Sequence, residues 1–276
     1  MSRRVVLLTG GGPFAHQLAA LLAERGVRVE ALVVCVPGLS AEWRRAMPPG
    51  RRARWLALAP LRWVSRRVKT RLRAPRARPF RRLVLTGPVN GRAMTRALRR
   101  LDPDVVVLAR CAVILEPHLL SIPREGVVNV HPGLLPWIRG NSPVTHSVLR
   151  GVPLGASAFR VDPGIDTGAL LERRLLPVRG DETPDRLWDA LHRLWVEMTA
   201  DLAQAALAGP LPAGTPQPQR FPLCRDAAAV ERDAAAAAVG RGEARALFER
   251  WLPLCDPVHR SLPHDADAEF VPRAAG

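Results

Sequence analysis

The run Val105-Val106-Val107-Leu108 is apolar at every position. A strand with one face in water alternates apolar and polar side chains. A strand that does not alternate is covered on both faces, as in parallel sheets with helices packed on each side. Comparable runs stand at 4–8, 27–36 and 127–130, with a shorter one at 83–85. Stretches of helical periodicity at 13–25 and 91–100 alternate with them. The opening reads strand, Gly10-Gly11-Gly12 turn, helix, strand. The expected class is α/β: a Rossmann-like, mostly parallel twisted sheet flanked by helices.

Further along, 116–120 reads as a short helical turn and 143–149 as a helix entered through Pro143. The stretches 156–161 and 169–177 are more polar-faced strands, expected to be antiparallel. A long helix is expected over 183–208, with Leu187, Leu191, Leu194, Met198 and Leu202 on one stripe and Thr183 as its cap. Arg186 stands where a capping box would place an acid. These elements make a first domain over 1–208. A Pro/Gly linker at 209–222 then leads to a small helical C-terminal extension at 223–276, helical over roughly 226–251. The segment 37–79 breaks the α/β rhythm and reads as a basic insertion. Neither an internal repeat nor a heptad is present.

The net charge is +16, and it is unevenly spread. Nineteen Arg or Lys and no acid lie between Glu42 and Asp102. Such a stretch can attract phosphates or nucleic acid, so an RNA partner through the Arg-rich 43–100 segment stays open. With 40 of 41 basic residues being Arg and no Tyr, a biased genome composition explains much of it. The start reads as a strand and turn, not a secretory leader, and no apolar run reaches the roughly 20 residues a membrane span needs. The four cysteines form no CxxC pair, which points to neither a disulfide framework nor zinc and fits a cytoplasmic location.

Chemistry concentrates in two places. Asn129 and His131 sit two apart on a strand that runs into Pro132-Gly133-Leu134-Leu135-Pro136, so they share one face at the strand end. Thirty-five residues after His131, Asp166 lies in Asp162-Pro163-Gly164-Ile165-Asp166-Thr167-Gly168. The Asn129 amide can donate to a developing oxyanion, a role whose loss typically costs about 3 kcal/mol. His131 can protonate a tetrahedral intermediate or shuttle an amine proton. Asp166 can orient the imidazole, support its positive form, or take a proton through water. No Ser or Cys lies in a nucleophile elbow, which favours direct acyl transfer over an acyl-enzyme. Scattered histidines and the lack of an acidic pair point to no metal. The opening glycines depart from GxGxxG because Ala15 takes the last glycine's place, so a dinucleotide site has weak support. Gly12-Pro13 can still present backbone amides to an anion at the helix start.

Asn129-Val130-His131-Pro132-Gly133-Leu134-Leu135-Pro136, then Arg139-Gly140 and Pro143, resemble the Asn-x-His-Pro-x-Leu-Leu-Pro and Arg-Gly-x-x-Pro signatures of the folate-dependent formyltransferases. That family includes methionyl-tRNA, glycinamide ribonucleotide and sugar-amine N-formyltransferases. The stretch 161–168 is similar to its second signature. The resemblance covers about residues 1–208. It implies the formyltransferase fold, 10-formyltetrahydrofolate as co-substrate without a metal, and Asn129, His131 and Asp166 as catalytic residues. It further implies folate binding by Arg110, Cys111, Ala112, Val113, Ile114, Leu115 and Asp162, and acceptor contacts at Gly12, Pro13, Arg139 and Gly140. Arg110 and Cys111 depart from the small or apolar residues usual there. The alanine-rich part after Pro222 is unlike the β-barrel of the tRNA enzyme, and with Gly133 it turns the expectation toward a primary amine of a small molecule, sugar-linked or from secondary metabolism. Methionyl-tRNA formylation, formyltetrahydrofolate hydrolysis and a non-enzymatic RNA-binding descendant are the alternatives.

Overall fold

The computed structural model describes residues 3–35, 75, 77–111, 113–256 and 261–263. Most of the 37–79 insertion, and Ala112 of the expected folate loop, therefore lie outside the described residues. Seven strands form one mostly parallel sheet in the order β3-β2-β1-β4-β5-β6-β7, the α/β class expected from the apolar runs. Two compact units divide the chain: 1–127 with 203–209, and 128–202 with 210–276.

In the first unit, β1 (Val5–Thr9) is central, parallel to β2 (Val29–Cys35) on one side and to β4 (Val105–Ala109) on the other; β3 (Phe80–Thr86) lies parallel beyond β2. Both faces of β1 and β4 are buried throughout, which is why neither sequence alternates. The strand expected at 83–85 is longer, because pairing with β2 draws in Phe80, Arg81 and Arg82, whose polar pattern alone would not mark a strand.

Helix α1 (Pro13–Glu24) starts at a proline and buries Phe14, Leu18 and Leu22 at helical spacing. It ends in paired 5→2 and 6→1 bonds, Gly26 N–H to Ala23 O and Val27 N–H to Leu22 O. Helix α2 (Arg92–Leu101) buries Met94, Leu98 and Leu101 and leaves its arginines outward. At the opposite end of the sheet from the strands' C-termini, the Arg4 N–H donates to Asp104 Oδ2 at 2.7 Å, and Arg124 pairs with Asp102 and Asp104. A short turn, α3 (Pro117–Leu120), precedes the next strand.

In the second unit, β5 (Val127–His131), β6 (Gly155–Arg160) and β7 (Leu170–Leu175) run antiparallel in sequence, the direction expected for the last two. Helix α4 (Pro143–Arg150) follows β5. Helix α5 spans Pro184–Ala208 and is capped by Thr183, whose hydroxyl accepts from the Arg186 N–H at 3.4 Å. The helical stretch expected over 226–251 is two helices, α6 (Ala229–Gly240) and α7 (Glu243–Trp251). Arg241-Gly242 breaks it, with Gly242 in the left-handed region. These helices pack Ala238, Val239 and Ala244 against Val144, Leu187 and Leu191. Trp251 meets Trp137 edge-on at 5.2 Å. Residues 210–222, read from sequence as a linker, bond along β7 and the loop before it: Leu170 and Thr215 exchange both backbone hydrogen bonds at 2.8 Å.

Candidate active site

On β5, Asn129 pairs opposite Phe159 and His131 opposite Ser157, while Val128 and Val130 turn to the other, fully buried face. The two polar residues thus share a face, as their spacing implies. His131 is buried. Its Nε2 lies 2.9 Å from the Ile138 carbonyl oxygen, an acceptor, so Nε2 carries the proton in that contact. Nδ1 is then the working nitrogen, and it faces Asp166 Oδ2 at 3.5 Å. A neutral ring serves only one of these two acceptors; the imidazolium serves both. Among the described residues the Asn129 side chain has no hydrogen-bond partner, which leaves its NH₂ available to a ligand.

Asp166 is held unusually. Its φ of 54° is left-handed, a region that costs most L-residues about 1–2 kcal/mol and that Asp tolerates better. The Gly140 N–H donates to its Oδ2 at 3.0 Å. Gly140 itself has φ 94° and runs so close to Cys224 that a Cβ would stand 2.4 Å from the Cys224 carbonyl oxygen. Only glycine can bring that amide to the carboxylate. Arg139 braces the same place, with Nε donating to Ile165 O at 3.1 Å and its guanidinium to Phe221 O at 3.2 Å. Asp162 closes its own turn: its Oδ1 accepts from the Gly164 N–H at 3.0 Å and from the Thr167 hydroxyl at 2.5 Å. In this structure Arg139, Gly140 and Asp162 shape the Asp166 loop.

Position 133 is glycine for a related reason. A Cβ there would lie 2.8 Å from both His131 Nε2 and Ile138 O, inside the hydrogen bond that fixes the ring. Sequence reading missed the residues beneath this turn. Ser157 Oγ donates to Gly133 O at 2.8 Å and accepts from the Leu135 N–H at 2.9 Å. Arg173, fully buried, stacks its guanidinium 4.9 Å from the Trp137 ring and donates to Leu135 O at 3.3 Å. A lone Ser and a lone Arg within strands carry no sequence signal of such roles.

In the first unit, the order of β1 and β4 makes a topological switch point: from β1 the chain winds outward to β2 and β3, then returns to β1's other side. Open α/β sheets bind ligands in the crevice at the C-terminal ends of such strands. Gly10–Gly12 follow β1 and Arg110–Leu115 follow β4, and the Gly10 N–H reaches Arg110 O at 3.5 Å. Gly12 (φ 84°) caps α1 and Pro13 opens it. Asn90 clips the far end of the second loop, donating to Ile114 O at 2.9 Å and accepting from the Glu116 N–H at 3.0 Å. Val113 and Ile114 are exposed and adjacent, and Leu115 is buried. An apolar pair presented beside loop peptide groups suits a flat heterocycle with a hydrogen-bonding edge, such as a pterin. Cys111 is no nucleophile. Its thiol shares a hydrogen bond with Cys35, which together with burial pushes it well above the usual thiol range. Among the described residues no group of three or more His, Cys, Asp or Glu is arranged to hold a metal ion.

The model of the formyl transferase family matches residues 2–199 of this chain. The chain belongs to that family. Within it, the chain is 30% identical over 224 residues to the methionyl-tRNA formyltransferase of Pelobacter propionicus, covering 81% of this chain and 63% of that enzyme. Across the curated methionyl-tRNA formyltransferases it matches, the chain spans from 30% to 63% of their length. Among solved structures, a sugar N-formyltransferase from a Shewanella species shares the fold with TM-score 0.53 and 16% identity, over 86% of this chain and 87% of that one. Glycinamide ribonucleotide transformylase 1 from Geobacillus kaustophilus does so with TM-score 0.51 and 22% identity, over 75% of this chain and 100% of that one. Membership of this family is the expectation that the Asn129 and Asp166 motifs raised.

Proposed function

We propose that this formyl transferase family member moves a formyl group from 10-formyltetrahydrofolate to a primary amine of a small molecule, with a sugar-linked or secondary-metabolite amine as acceptor. The observation that carries the reading is the His131 arrangement: Nε2 fixed on a carbonyl, Nδ1 directed at Asp166, and a free Asn129 amide on the same strand face.

The acceptor nitrogen attacks the formyl carbon, and the carbonyl oxygen gains negative charge. Asn129 donates its NH₂ to that oxygen, with the imidazolium of His131 as the second source of positive charge. Asp166 keeps Nδ1 in line and assists removal of the amine proton. When the bond between the formyl carbon and N10 breaks, N10 takes a proton, giving the formamide and tetrahydrofolate. Arg110, Cys111, Val113, Ile114 and Leu115 would seat the folate, with Val113 and Ile114 as its apolar wall. Gly12 and Pro13 would meet the acceptor.

A small acceptor is favoured by length. The correspondence with the Shewanella fold runs over nearly all of both chains, whereas the Pelobacter tRNA enzyme is matched over 63% of its length. Methionyl-tRNA is the second reading, favoured by Arg92, Arg96, Arg99 and Arg100 of α2. These line a cavity of about 640 Å³ with Asn90, Thr95 and His118.

The test is calorimetric titration with a stable 10-formyltetrahydrofolate analogue, followed by formylation assays on amino sugars and on methionyl-tRNA. Micromolar binding that weakens at least tenfold in Ile114→Asp, followed by formylation of an amino sugar, is expected. Folded wild-type protein that fails to bind the analogue would overturn the reading, and formylation of tRNA alone would replace the acceptor.

A further inference from the structure

The stretch 210–222 clasps the loop that carries Asp166. Arg160 donates to the carbonyls of Leu211 and Pro212 at 2.7 and 2.8 Å, and Thr215 pairs with Leu170. Between these anchor points and Phe221, two glutamines reach the loop. Gln219 Nε2, exposed, donates to Thr167 O at 3.1 Å. Gln217 is more than nine-tenths buried, and its Nε2 donates to Asp166 O at 3.3 Å and to Gly168 O at 2.5 Å. Both N–H groups of its amide are thus directed at the main chain on either side of Thr167. Its Oε1 is buried without a partner. Turning the amide over would set that oxygen against two carbonyl oxygens, so the donors must face the loop.

The loop needs such a clasp. Asp166 has left-handed backbone geometry, and its carboxylate reaches His131 Nδ1 only while that geometry persists. The Gly140 amide holds the carboxylate. Gln217 holds the peptide groups from which the carboxylate hangs.

We propose that Gln217 is a positioning residue for the reaction, its side-chain amide fixing the 166–168 backbone so that the Asp166 carboxylate faces His131. This rests on the formyl-transfer reading for its kinetic arm and on geometry alone for its structural arm. In the segment read as a linker, Gln217 would then be part of the active site's frame, acting through Asp166 without touching substrate.

The experiment uses the full chain with Gln217→Met, which keeps length and apolar contacts and removes both donors. The expected kcat falls 10- to 100-fold while the affinity for a folate analogue changes less than threefold. In an Asp166→Asn background the same substitution should change kcat less than twofold, because its effect passes through the carboxylate. A crystal structure of the Gln217→Met protein should show Asp166 out of the left-handed region, or its carboxylate farther from Nδ1 than in wild type. Independent losses that multiply in the double variant would overturn the proposal, as would an unmoved Asp166 or full activity. If wild type formylates none of the amines tested, the function reading fails and the crystal structure still decides the role of Gln217.

Discussion

Gly133→Ala should dislodge His131, and the size of the effect follows from the local geometry. The added Cβ would stand 2.8 Å from His131 Nε2 and 2.8 Å from Ile138 O, two atoms that are themselves 2.9 Å apart in a hydrogen bond. One of them is main chain and the other belongs to a ring only 6% exposed, so neither can move cheaply. Overpacking of this kind costs about 1–3 kcal/mol. A buried carbonyl that loses its donor adds about 1–3 kcal/mol. Allowing for partial relaxation, roughly 2–4 kcal/mol of stability should be lost. For a chain of this length that corresponds to a fall in Tm of about 5–15 °C. The displaced ring also carries Nδ1 away from Asp166, and a shift near 1 Å can cost on the order of 100-fold in rate. Thermal melts and formyl-transfer rates on one preparation measure both effects. An alanine variant with wild-type Tm and wild-type rate would refute the view that the Nε2–Ile138 contact sets the ring.

Three further outcomes are expected. The Arg4 amide N–H holds the Asp104 carboxyl below its usual range, with the Arg124 guanidinium adding to it against a burial effect of opposite sign. A depressed carboxyl contributes stability above its unfolded pKa of about 3.9 and loses it as pH falls through the folded value. The Tm deficit of Asp104→Asn should therefore be full at pH 7 and disappear in strong acid; a deficit independent of pH would contradict the cause. Burial pushes the Cys255 thiol up to about 11, so at pH 8 its labelling by a disulfide reagent should be on the order of 100-fold slower than that of the unfolded chain. Equal rates in mass-mapped labelling would refute this. Arg92, Arg96 and Arg100 stack at i, i+4 spacing on α2, so Arg96→Glu turns two repulsive pairs attractive and should stabilise the protein by about 0.5–1 kcal/mol, read by urea unfolding.

The sequence exposed the parts of this molecule whose physics is local. Val105–Leu108 had to be doubly buried because it never alternates, and Pro13 and Thr183 marked helix starts that the structure places within a residue. The spacing of Asn129 and His131 put them on one face, because strand geometry leaves no other choice. What pairing decides stayed hidden. Phe80–Arg82 extend β3 only because β2 lies beside them, and the break at Gly242 is inaudible within an alanine-rich run. The stretch 210–222 has the composition of a free linker, yet its backbone and glutamine amides are taken up by partners some 50 residues earlier in the chain. Arg173, buried against Trp137, belongs to the same class.

The most direct test of formyl transfer through His131 and Asp166 is a single-turnover experiment with 10-formyltetrahydrofolate carrying a ¹³C formyl group and a panel of amino sugars. Wild type is expected to place the label on an amine nitrogen with release of tetrahydrofolate, and Asp166→Asn to do so on the order of 100-fold more slowly while still binding folate. An Asp166→Asn variant that transfers the label at the wild-type rate would contradict the assigned chemistry.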